Sequence, residues 1–166
     1  SSVVPFLAIL GSFFAGTIAS GSVVGDNELG TGRRYAVMLS IEGALLACAA
    51  LLAGTVPGLL SASLAAAACG LQNALASSFH GMVVRTTHMT GIVTDLGFQV
   101  GKLLVRKRVD HRHFALQITL LVAFMIGGIA GALTEMRYGP RALYLAAAGA
   151  LCAALAFWQL RARDAL

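Results

Sequence analysis

The sequence predicts an all-α, polytopic membrane bundle of about six transmembrane helices. Three observations carry that expectation. Hydrophobic residues make up 58% of the 166-residue chain and charged residues only 11%, against roughly 25% charged in an ordinary soluble domain. Mean hydropathy is +0.82. The few charges fall in short clusters between long uncharged stretches, which is how a bilayer-spanning chain is punctuated. The single transmembrane domain covers 1–166.

The first span is 3–25: residues 1–25 carry no charge, and Asp26, Asn27 and Glu28 end the run. At 1.5 Å per residue such a stretch crosses a hydrocarbon core of ~30 Å. A Gly-rich loop ending in Arg33 and Arg34 leads to the second span, 35–56, which only Glu42 interrupts. Pro57-Gly58 marks a tight turn. The Ala-rich third span, 59–79, carries Gln72 and Asn73 near its far end. The fourth, 82–104, is the least hydrophobic and holds Arg85, His88, Asp95, Gln99 and four threonines. Clean spans at 114–134 and 142–160 complete the set, separated by a loop with Glu135, Arg137 and Arg141.

Lys102, Arg106, Lys107, Arg108 and Arg112 share one inter-helix loop. The positive-inside rule therefore puts loop 102–113 in the cytoplasm, and two further spans bring the C-terminal tail, with Arg161 and Arg163, to the same side. The N-terminus then also lies inside, and loops 26–34 and 135–141 lie outside. Membrane topology accounts for the net charge of +5, so no nucleic-acid partner is expected. The expected partners are the lipid bilayer and a homo-oligomer or larger membrane complex. The chain begins Ser1-Ser2, and its first segment lacks the basic region of a signal peptide.

An internal echo joins Leu10 to Gly16, then Gly32-Arg33-Arg34 and Gly43-Ala44-Leu45, to Met125 to Gly131, then Gly139-Pro140-Arg141 and Gly149-Ala150-Leu151. In the six-span topology both hairpins run the same way, so the repeat is parallel, an arrangement found among transporters. Chance similarity of Ala/Gly-rich helices is the competing explanation. Small residues four apart, Gly21 with Gly25, Gly97 with Gly101 and Gly127 with Gly131, are expected packing seams.

Two features point to function. Glu42 stands about eight residues into a span, where a carboxylate costs at least ~2–3 kcal/mol unless neutral, paired or wet; it is a proton or cation site, or a side chain bonded to a neighbouring helix. In the fourth span, His88, Asp95, Gln99 and Lys102 share one side at helical spacing. Thr86, Thr87, Thr90 and Thr94 add hydroxyls able to bond a solute or the preceding turn. Gly91 leaves the backbone approachable, and a broken helix here would expose N–H and C=O groups as transporter sites do. The substrate-path candidates are thus Gln72, Asn73, Thr86, Thr87, His88, Thr90, Gly91 and Asp95, and the proton-coupling candidates Glu42 and Asp95. The competing reading of the stripe is an interhelical hydrogen-bond seam with Gln72 and Asn73.

No catalytic constellation, cofactor motif or metal set is expected, and the chain reads as a non-enzyme. Cys48, Cys69 and Cys152 lie in apolar segments as packing residues. His80, His111 and His113 are read as loop residues, the last two among arginines, a poor setting for a metal. Arg85, near the interface, snorkels.

The run Cys69-Gly70-Leu71-Gln72-Asn73-Ala74, then Arg85-Thr86-Thr87-His88-Met89-Thr90-Gly91 and Leu96-Gly97, resembles the C-terminal signature of the YoaK-type family. Its members are small, poorly characterised bacterial inner-membrane proteins. The pattern is Gly-Leu/Met-Gln-Asn-Ala, a variable link, then Thr-Thr-x-x-Thr-Gly. Members carry upstream a partner segment with Asp-Ala and Asn-Met-Thr-Gly-Asn, which this sequence does not contain. The resemblance implies a bacterial inner-membrane location and no particular chemistry. Two functional readings stay open: a transporter-like or permease-like bundle for a small solute, and a non-catalytic subunit of a larger membrane complex.

Overall fold

The fold was analysed in a computed structural model, which describes residues 3–24, 32–55, 57–77 and 89–164. Most of these residues are helical, and none lies in an extended strand: α1 (Val3–Val24), α2 (Gly32–Leu52), α3 (Gly58–Ser77), α4 (Met89–Leu104), α5 (His111–Tyr138), a 3-10 turn (Gly139–Ala142) and α6 (Leu143–Asp164). Four stretches are long and apolar enough to cross a membrane: Val3–Val24, Arg33–Leu52, Gly58–Ala76 and the run His111–Gln159 that contains both α5 and α6. The fourth expected span is described only as α4, 16 residues long, or ~24 Å at 1.5 Å per residue. Continuity across 82–88 lies outside the described residues.

Local chemistry sets the helix ends. Pro5 sits in the first turn of α1, where its missing N–H costs nothing. Gly54, at φ +85, ends α2 in the left-handed conformation, and Pro57 opens α3 by accepting the N–H of Leu60. Gly139, at φ +60, followed by Pro140, breaks the run between α5 and α6. At the end of α4, Lys107 N–H bonds Lys102 C=O at 2.9 Å and Arg106 N–H bonds Leu103 C=O at 3.0 Å. This is a Schellman cap, with Arg106 at φ 56 where glycine is usual.

The described residues divide into two compact units. One holds α1, α2, α3 and α6; the other holds α4 and nearly all of α5. In the first, α1 packs on α3, α3 on α2 and α2 on α6. Glycine permits the closest approach. A Cβ on Gly16 would lie 2.0 Å from the Ala67 carbonyl oxygen, and one on Gly70 would lie 2.0 Å from that of Phe13. Gly43 takes the Leu151 side chain of α6 in the same way. The seams expected from spacing are elsewhere: a Cβ at Gly21, Gly97, Gly101, Gly127 or Gly131 meets nothing within 4 Å, and Gly25 lies outside the described residues. Spacing alone cannot tell a glycine that faces a neighbour from one that faces outward.

Helix direction corrects the expected repeat. Tyr35 at the start of α2 stacks on Phe157 near the end of α6, with ring centroids 6.0 Å apart. Arg33 lies 5.5 Å from the Trp158 ring centre, and Gly43 abuts Ala147 and Leu151. Thus α2 and α6 run antiparallel, not parallel as the six-span arrangement requires. The start of α2 and the end of α6 lie at one end of the unit, whereas the sequence reading puts loop 26–34 and the C-terminal tail on opposite sides. In the same unit Ser61 Oγ donates to the Ala49 carbonyl at 2.8 Å, and Leu46 packs with Ala68. The α2–α3 pair is therefore an antiparallel hairpin, so α3 and α6 run the same way.

Burial is inverted relative to a soluble protein. Large apolar side chains face outward along α1 and α5, among them Phe6, Phe14, Ile126, Leu133 and Met136. Among the described residues the buried polar and charged ones are Ser20, Glu42, Ser61, Gln99 and Gln117. On the 28-residue α5, the single buried residue is a glutamine. Water would penalise such a surface by about 25 cal/mol per Å² of apolar area, and a hydrocarbon surrounding would not.

Candidate functional site

Polar groups gather in two places, one in each unit. In the first, Glu42 lies between two apolar clusters: Val24, Tyr35, Met38, Leu71 and Leu75 on one side, and Leu46, Ala68 and Ala147 on the other. Met38, Glu42 and Leu46 recur every four residues on α2, so the carboxyl falls on the inward stripe. It is 8% exposed, and Oε2 has no hydrogen-bond partner among the described residues. Ser20 lies one turn beyond Gly16 on α1, is 1% exposed, and its Oγ is equally unpartnered. By register, both groups sit near the level of Leu71. A buried polar atom without a partner costs about 1–3 kcal/mol, and two on adjacent helices are more than packing requires. Glu42 can hold a proton at this depth.

The second gathering lies in the unit of α4 and α5. Gln117 Nε2 donates to Asp95 Oδ2 at 3.1 Å, and Gln99 Nε2 donates to Gln117 Oε1. Both amides donate towards the carboxylate. Asp95 and Gln99 share a face of α4 four residues apart, and Gln117 is two turns into α5. Beside this relay is a cavity of about 250 Å³ lined by Asp95, Phe98, Gln99, Lys102, Arg108, Val109, Asp110 and His113. Asp110 caps α5, its Oδ1 accepting the N–H groups of Arg112 (2.9 Å) and His113 (3.3 Å). Lys102 Nζ stands 4.7 Å from the Phe98 ring centre.

The sequence-derived candidates fare differently. Asp95, Gln99 and Lys102 of the polar stripe line one cavity. The stripe's partner is Gln117 of α5, in place of the expected Gln72 and Asn73. Gln72 is exposed on α3, and Asn73 is half-buried; both belong to the other unit. Thr90 and Gly91 are exposed in the first turn of α4. Thr94 Oγ1 bonds the Thr90 carbonyl at 2.8 Å, so this hydroxyl takes the preceding turn. Thr86, Thr87 and His88, with Arg85 and His80, lie outside the described residues. His111 and His113 open α5 instead of lying in a loop. No group of three or more His, Cys, Asp or Glu side chains among the described residues is placed to hold a metal ion.

Sequence reasoning missed Ser20, Ser61 and Gln117. Gln117 carried a usable signal, being a bare amide near the start of an apolar span, which in lipid must find a partner. Ser20 gave little, since serines are common among small packing residues. A family model described as "Protein of unknown function (DUF1275)" matches residues 1–156. No curated protein and no solved structure matches.

Proposed function

The chain belongs to the DUF1275 family of proteins of unknown function, and we propose that it is a multi-pass membrane protein working as a permease-like bundle for a small solute, with proton coupling at Glu42. The observation that carries this reading is the pair of buried, unpartnered polar groups, Glu42 Oε2 and Ser20 Oγ, inside a unit whose outer face is apolar. An ionisable group at membrane depth is costly, and transport or proton relay is the common reason to keep one. Asp95, with its Gln117–Gln99 relay, is the second titratable group in this scheme. Within the unit of α4, the solute contacts of this scheme are Thr90 and the Gly91 backbone, with Thr86, Thr87 and His88. The membrane is a bacterial inner membrane.

Helix direction supports a five-crossing topology. Because α3 and α6 run the same way, the chain between them must return across the bilayer an odd number of times. That stretch contains α4 and α5. We assign the return to α5, which has 28 residues and a charge-free stretch at 114–134, and not to α4, which has 16 residues and carries Asp95 and Lys102. Loop 102–113, with five cations and one Asp, then shares a side with loop 26–34 and the C-terminal tail. The turn at Gly54 and the 3-10 turn at Gly139–Ala142 fall on the other. The positive-inside rule makes the first side cytoplasmic.

The test is reconstitution into liposomes enclosing a pH-sensitive dye, with a potassium diffusion potential imposed through valinomycin. Wild-type protein acidifies the lumen, whereas Glu42→Gln and Glu42→Leu do not. Proton entry through both variants at the wild-type rate would end the coupling idea. The second reading, a non-catalytic subunit, is favoured by the open Gly127, Gly128 and Gly131 on α5, which leave room for a helix of another chain. A stoichiometric partner co-purifying in mild detergent favours it over transport.

A further inference from the structure

The cavity between the end of α4 and the start of α5 has an uneven charge account. Four formal charges line it: Lys102, Arg108, Asp95 and Asp110. Both acids are already engaged within the protein. Asp110 caps the first N–H groups of α5, and Asp95 accepts the Gln117 amide. The bases are not. Among the described residues neither Lys102 nor Arg108 is paired with a carboxylate, and Lys102 has only the Phe98 ring beneath it. Arg106, Lys107 and Arg112 surround the opening in sequence, so the local field is positive as well.

One wall of the cavity is charged and its neighbourhood is greasy. Phe98 is 66% exposed, Leu104 81% and Val105 64%. Within one turn the surface passes from these side chains to Arg106–Lys107–Arg108. That transition is found where a bilayer's hydrocarbon gives way to its headgroup layer.

We infer that this cavity binds the phosphodiester headgroup of an anionic phospholipid, with Lys102 and Arg108 holding the phosphate and acyl chains lying on Phe98, Leu104 and Val105. The inference rests on the membrane reading above. Arg108 supplies paired N–H donors to the phosphate oxygens and Lys102 a compact ammonium. Asp95 and Gln99 line the same cavity, and their carboxylate and amide oxygens can accept from headgroup hydroxyls such as those of glycerol. A soluble phosphate would satisfy the cations and leave the three apolar side chains bare, so the lipid is the better occupant. On the cytoplasmic side, where the topology puts this cavity, the leaflet is rich in anionic lipid.

The experiment uses the full chain purified in mild detergent, with retained lipid read by native mass spectrometry and stabilisation read by thermal melting. Three probes are added separately: phosphatidylglycerol, phosphatidylcholine and soluble glycerol 3-phosphate. Phosphatidylglycerol should bind with one preferred site and raise the melting temperature, while the other two do neither. Lys102→Ala/Arg108→Ala should weaken that binding about tenfold or more. Lys107→Ala/Arg112→Ala, which removes the same charge outside the cavity, should weaken it clearly less, by loss of the diffuse field alone. Equal binding of phosphatidylcholine, equal stabilisation by glycerol 3-phosphate, or equal losses in the two double variants would each overturn the inference. Should the cavity variant not fold, Lys102→Gln and Arg108→Gln taken singly carry the same comparison. Alkaline carbonate extraction separates the two failures: a chain released from membranes sinks the membrane reading, while one that stays but shows no lipid preference sinks only this site.

Discussion

A single methyl group at the crossing of α1 and α3 tests the packing on which the first unit depends. In Gly16→Ala the new Cβ would lie 2.0 Å from the Ala67 carbonyl oxygen and 2.9 Å from the Leu71 nitrogen. Real Cβ contacts essentially never fall below 3.0 Å, so α1 must retreat by at least 3.0 − 2.0, or about 1 Å. The obstructing atoms are backbone, so no side-chain rotation can absorb the clash. A gap of that size forfeits up to about half of the dispersion energy along the contact. Overpacking costs about 1–3 kcal/mol, towards the upper end where the obstacle is backbone, offset by up to about 1 kcal/mol of improved helix propensity, so the net loss is about 2 kcal/mol. Gly70→Ala, held at the same 2.0 Å from Phe13, should lose as much. Because one retreat accommodates both methyls, the double variant should lose clearly less than the sum of the singles. Gly127→Ala and Gly131→Ala, which meet nothing, should be neutral or gain up to about 1 kcal/mol. Reversible unfolding in mixed dodecylmaltoside and SDS micelles, followed by far-UV circular dichroism, measures all five. Gly16→Ala as stable as wild type, or Gly127→Ala as damaging as Gly16→Ala, would refute the assigned crossing.

Gln117→Leu strips the acceptor from the Gln99 amide and the donor from Asp95, and should cost about 1–3 kcal/mol in the same unfolding assay; an unchanged midpoint would mean that the relay holds nothing together. Arg106→Gly frees a left-handed residue at φ 56 and should gain about 1 kcal/mol, whereas a loss would reveal a compensating contact of the guanidinium. In a background with Cys48, Cys69 and Cys152 replaced by alanine, Thr55→Cys should react with membrane-impermeant maleimide added to intact cells, and Lys107→Cys should react only after permeabilisation. The same labelling pattern at both positions would rule out the five-crossing topology. Glu42→Leu, expected to lose proton movement in liposomes, should fold at least as stably as wild type, since it replaces a buried oxygen without a partner among the described residues by an apolar group. A marked loss of stability would make Glu42 a packing residue.

Much of the architecture was legible one helix at a time. Uncharged runs bounded by Asp26–Glu28 and Pro57-Gly58 mark where helices stop, because charge and backbone geometry act locally; the loop expected at 135–141 is instead helical through Glu135 and Arg137 to Tyr138. The stripe of Asp95, Gln99 and Lys102 followed from helical period alone, and these three residues do line one cavity. Glu42 stood out because a lone carboxyl in a span is expensive wherever it points. Partners were not legible. Gln117, not Gln72 or Asn73, meets Asp95, and no spacing rule joins residues 22 positions apart across two helices.

By itself, the sequence determined the apolar composition, the positions of most helices and the presence of polar groups that lipid would not leave idle. These depend on the energy of each segment against its solvent, which sums along the chain. Only the tertiary structure decided which glycines are contacts, Gly16, Gly43 and Gly70 over Gly21, Gly97 and Gly127. It alone set α2 and α6 antiparallel, and with that overturned the parallel repeat. The reason is physical: in an Ala/Gly-rich helix almost every face is small and apolar, so many pairings look alike along the chain. Contacts of about 2–4 Å between particular atoms choose among them, and those distances exist only in the folded molecule.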